Sequence, residues 1–65
     1  MEIAKYVTKN GTSVNTVTFI ENGVTKYETR INTAVYSTPY YRGFDADRAN
    51  KAFADAVKMV NKRNN

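Results

Sequence analysis

Asn-Gly occurs twice in this chain, at Asn10-Gly11 and Asn22-Gly23, each time between runs rich in Thr, Val, Ile and Tyr. A type I′ turn needs positive φ at both central residues, which Asn followed by Gly tolerates well, so the dipeptide marks a two-residue hairpin. Two such turns predict a three-stranded antiparallel meander over about residues 2–31. Counting outward from the turns sets the register. Val7, Val14 and Ile31 share one row, Lys5, Thr16 and Thr29 the next, then Ile3, Thr18 and Tyr27, with Ile20 opposite Thr25. The other face receives Ala4, Val17 and Glu28, then Tyr6, Asn15 and Arg30, then Glu2, Phe19 and Lys26. The first face has more large apolar residues and a single charge, so it is the one expected to be buried.

Past the meander the period changes. Ala49, Ala52, Phe53, Ala56, Val57 and Val60 recur at three- and four-residue spacing, flanked by Met59, which predicts a helix over about 46–62. Asp45 is placed to cap it, and Asp47 stands four residues before Lys51 in the favourable order for a helical ion pair. Phe53 is the expected main anchor of the helix, which is expected to pack on Val7, Val14, Ile20, Tyr27 and Ile31. Phe44 is the expected outer half of a hydrophobic staple onto Ala49. Between strand and helix, Thr33–Tyr36 either extends the third strand or opens a fourth. Pro39 should end regular structure there, leaving a Tyr-rich loop over 36–44. The expected fold is α+β: one small domain, 1–65, with an antiparallel meander and a C-terminal helix on one sheet face.

Sixty-five residues bury only about 60% of their unfolded surface. With no cysteine, neither a disulfide nor a thiolate metal site can supplement so small a core. The chain also lacks histidine, so the usual base near neutral pH and the usual strong nucleophile are both missing. Asp45 and Asp47 suit a helix cap and first turn better than a cation site. Gly11 and Gly23 open no helix and so form no phosphate loop. The expectation is a non-enzymatic protein without cofactor or metal. Met1–Lys5 does not read as a signal peptide and no apolar run approaches a membrane span, so a complete cytoplasmic chain is expected.

Function must therefore lie in surface. The formal net charge is +4, and residues 33–65 carry six cations against three carboxylates, whereas residues 1–32 carry four against three. Lys58, Lys62 and Arg63 complement the dipole at the end of the helix. On the uncovered sheet face, Tyr6 and Phe19 lie beside Lys26 and Arg30, with Asn15 between them. Such a mixture serves either a protein interface or base stacking with phosphate neutralisation. The loop adds Tyr40, Tyr41 and Arg42, aromatic contacts of low rotamer entropy. A protein partner is the first expectation: a small regulator or inhibitor of a larger protein, of the kind found in phages and mobile elements. A DNA- or RNA-binding protein using the same face is the alternative, and self-pairing of that face into a homodimer is a third reading. In element order alone the chain resembles plant AP2-type and integrase N-terminal DNA-binding domains. That resemblance implies that Tyr6, Asn15, Lys26 and Arg30 would face DNA. The tryptophan and arginine-rich strand patterns of AP2 domains are absent, and Glu2 and Glu28 share the face.

Overall fold

Asn22 and Gly23 both take positive φ, 53° and 78°, and close a two-residue turn between Glu21 and Val24. Every row of the hairpin it joins is the one expected from the sequence: Val14 faces Ile31, Thr16 faces Thr29, Thr18 faces Tyr27 and Ile20 faces Thr25. The computed structural model describes residues 1–63. It contains β1 (Glu2–Val7), β2 (Ser13–Glu21), β3 (Val24–Asn32), β4 (Ser37–Gly43) and α1 (Ala46–Arg63). The strands form one antiparallel sheet in the order β1-β2-β3-β4, with α1 on one face, an α+β fold.

The first turn behaves differently. Only Gly11 has positive φ, 89°, while the Gly11 amide donates to Thr8 O at 3.2 Å and the Thr8 amide to Thr12 O at 2.8 Å. This is a type I turn followed by a left-handed glycine, the three-residue hairpin rather than the two-residue one. The Thr8 hydroxyl stabilises it by donating to Asn10 Oδ1 or to Thr12 O, the latter at 3.1 Å. One extra loop residue slips β1 by one position, so Tyr6 faces Val14 and Lys5 faces Asn15. The slip inverts the strand. Tyr6 packs against the core, whereas Val7, expected in it, is 55% exposed. A further irregularity between Glu2 and Ala4 returns Glu2 to the open face opposite Val17.

Residues expected to form a loop instead form β4. Pro39 is tolerated because β4 is an edge strand, where a missing N–H disrupts no ladder on the outer side. The β3 register shifts between Thr29, opposite Tyr41, and Arg30, opposite Pro39, leaving Tyr40 as the bulged residue. Proline and bulge together make β4 a poor template for another strand. The β3–β4 turn is held by Thr33, whose hydroxyl accepts from the amides of Val35 at 3.3 Å and Tyr36 at 3.1 Å.

Helix α1 starts where the sequence puts it. Asp45 Oδ1 accepts from the Arg48 amide at 3.1 Å and Asp45 O from the Ala49 amide at 3.0 Å, an N-cap. Ala49, Ala52, Ala56 and Val60 are the buried side of α1; Ala56 and Val60 cluster with Val14 and Ile31, and Thr16 and Thr29 are buried in the same sheet face. The three alanines let the helix backbone lie close to the sheet. Phe53, Val57 and Met59 flank this centre half-buried, so Phe53 supports the core from its border. At the far end Tyr6 Oη donates to Asn61 Oδ1 at 2.8 Å, tying β1 to the helix.

Where α1 begins also decides what it leaves bare. Gly43 pairs with Tyr27, and only Phe44 and Asp45 separate it from the helix, so α1 starts level with that row and runs away from the Asn22-Gly23 tip. Ile20, expected under the helix, therefore lies beyond its N-terminus and is 75% exposed. The expected staple is missing too: Phe44 is also 75% exposed while Ala49 is fully buried without it.

Candidate functional site

The sheet face away from α1 is uncovered, as expected, and it is knitted together by polar side chains. Asn15 Nδ2 donates to Glu2 Oε2 at 3.3 Å, Asn32 Nδ2 to Asn15 Oδ1 at 3.0 Å, and Ser37 Oγ to Asn32 Oδ1 at 2.6 Å. Arg30 Nε then donates to Ser37 Oγ at 2.9 Å, and its Nη1 lies 3.3 Å from Glu28 Oε1. This path touches all four strands. Nearer the hairpin tip, Glu21 holds two cations, Lys26 at 2.8 Å and Arg42 at 3.3 Å, and the Arg42 guanidinium sits 5.6 Å from the centre of the Phe19 ring. The hydrogen bond and charge of Lys26, with the charge of Arg42, hold the Glu21 carboxyl below the ordinary glutamate range.

The seven residues expected to bind do not form one site. Phe19, Lys26, Arg30 and Arg42 share the open face, with Arg42 reaching it from β4 opposite Glu28. Tyr6 does not: the one-residue slip of β1 puts its ring on the helix side, so its part in a binding face is withdrawn. Tyr40, at the bulge, is exposed on the sheet edge, and Tyr41 turns inward toward α1. Tyr41 lies over Gly43, where an added Cβ would stand 2.5 Å from its Oη, so the glycine makes room for the ring. An open groove of about 460 Å³ runs between β4 and the helix, lined by Tyr40, Tyr41, Arg48, Lys51, Ala52 and Asp55.

The sequence reading missed a second surface, at the hairpin end. On the helix side of the sheet Ile20 is bare beyond the start of α1, and Met1, just before β1, whose carbonyl accepts from the Thr18 amide at 2.8 Å, is 85% exposed. Phe44 projects from the adjoining connection, and Val24 is exposed at the turn. Ile20 and Met1 leave bare apolar surface on the helix side at this end, a shelf to which Phe44 adds from the β4 edge, and Val24, paired with Glu21, faces the open side.

No group of three or more metal-ligating side chains lies together among the described residues. No described helix is long and apolar enough to cross a membrane. No protein-family model, curated protein or solved structure matches the chain.

Proposed function

We propose that this is a small non-enzymatic accessory protein, a regulator or inhibitor in kind, that docks on a larger protein through its hairpin-end shelf and the adjoining β4 flank. The observation that supports this is the exposure of Met1, Ile20 and Phe44 at one end of a chain whose own helix stops short of them. Large exposed apolar patches mark interaction sites, and these three bare residues lie at the same end of the sheet. Tyr40, exposed on the same edge strand that leads to Phe44, is of a residue type enriched among interface hot spots.

The open face fits this partner class less directly, and nucleic acid less still. Lys26, Arg30 and Arg42 each hold a carboxylate, so a phosphate must compete with Glu21 and Glu28 for them. Affinity capture from cells of the source organism, with chemical cross-linking, tests the docking role. Wild type should retain a protein that Ile20→Asp and Phe44→Ser lose while keeping the wild-type circular dichroism spectrum. Equal retention by all three would refute the shelf. Binding to oligonucleotides that weakens steeply with salt would instead favour the nucleic-acid alternative.

A further inference from the structure

The two Asn-Gly pairs have the same local chemistry, and the fold treats them differently. At Asn10-Gly11 both reacting groups are occupied: the Gly11 amide donates to Thr8 O at 3.2 Å, and Asn10 Oδ1 accepts from the Thr8 hydroxyl and from the Thr12 amide at 3.4 Å. At Asn22-Gly23 neither group has a partner among the described residues. This follows from the turn type. In a two-residue type I′ hairpin the residues flanking the turn, here Glu21 and Val24, close it, and the N–H of the second central residue is left unused. Both turns are exposed, and nothing approaches within 4 Å of a Cβ built at Gly11 or at Gly23, so the difference between the two sites lies in these hydrogen bonds.

We propose that Asn22 is a site of spontaneous deamidation that converts well ahead of Asn10. The Gly23 backbone nitrogen, having given its proton to solvent base, attacks Asn22 Cγ. The new N–C bond closes a succinimide ring, and the side-chain nitrogen departs with a solvent proton as ammonia. Water then opens the ring at one of its two carbonyls. One product is aspartate; the other is isoaspartate, whose main chain runs through the former side chain and so carries an extra methylene through the turn. Water is consumed, ammonia is released, and nothing is oxidised or reduced. At Asn10 the same attack requires the Gly11 and Asn10 hydrogen bonds to break first. Conversion at Asn22 sets a new carboxylate next to Glu21, which holds Lys26 and Arg42, and close to Ile20 and Val24. Its effect on docking rests on the role proposed above; its rate does not.

The test is a time course of the full chain at mildly alkaline pH, native and in concentrated denaturant, followed by proteolysis after Glu21 and mass spectrometry. Cleavage there separates the two asparagines, and each conversion makes its peptide heavier by a single mass unit. In the native protein Asn22 should convert several-fold faster than Asn10, with both aspartate and isoaspartate formed. In denaturant the two rates should converge, since the dipeptides are identical. A native Asn10 that converts as fast as Asn22 would overturn the proposal. So would a rate ratio that survives unfolding, because the difference would then not come from the fold.

Discussion

The hydroxyls of Thr16 and Thr29 meet at 2.7 Å directly across β2 and β3, and both residues are buried beneath the helix alanines. Replacing either threonine by valine keeps the shape and leaves the other hydroxyl in an apolar layer without its partner. A stranded buried hydroxyl costs about 1–3 kcal/mol, whereas removing both members of a pair with shape preserved is nearly neutral. Thr16→Val and Thr29→Val should therefore each lower the midpoint of thermal unfolding, by about 4–8 °C per kcal/mol lost in a domain of this size. The double variant should return close to wild type, so the coupling in a double-mutant cycle should equal the sum of the two single losses, about 2–6 kcal/mol. Circular dichroism melts and urea titrations of the four proteins measure it. Additive losses, or two silent single variants, would refute the claim that this hydrogen bond is sealed from water under α1.

Three further outcomes follow from the same geometry. Asp45→Ala removes the oxygen that caps the Arg48 amide and should cost about 1 kcal/mol by urea titration. Tyr6→Phe loses the hydrogen bond to Asn61 and should cost about 0.5–1.5 kcal/mol, whereas Val7→Ala should be close to silent; the opposite ranking would restore the unslipped β1 register. Because the Glu21 pKa is lower in the folded chain, its contribution is complete at neutral pH. It is lost as pH falls from the ordinary glutamate value, about 4.3, through the depressed folded one. Melting temperatures of wild type and Glu21→Gln should accordingly differ at neutral pH and converge in acid.

What could be read in advance depended on how many structures each local pattern permits. Asn22-Gly23 allows one tight hairpin between well-matched strands, and its register was legible to the residue. Asn10-Gly11 allows two, and the choice of the longer is carried by Thr8, whose hydroxyl bonds Asn10 and Thr12 and favours a type I start with Gly11 as the left-handed residue. That pattern, Thr8 three residues before glycine, was the available signal for the slip that buries Tyr6. β4 was obscured by Pro39, which excludes a central strand but not an edge. The length of the segment pointed the other way, since structureless connections beyond about 12 residues are uncommon in compact domains. The helix and its cap were legible because composition, spacing and capping agreed. The candidate surface was legible only in part: Phe19, Lys26 and Arg30 were placed together correctly, but no pattern within a strand tells how far along it a helix will reach. Ile20 was therefore assigned to the core and Phe44 to a staple on Ala49, and the structure puts both in solvent.

The most direct test of the docking role is site-resolved photo-crosslinking in cells of the source organism. A photoreactive amino acid replaces Ile20 on the shelf or, in a separate variant, Asn15 at the middle of the open face. The account predicts one discrete protein adduct from position 20 and little or none from position 15. Adducts to nucleic acid, or a protein adduct from position 15 with none from position 20, would contradict it.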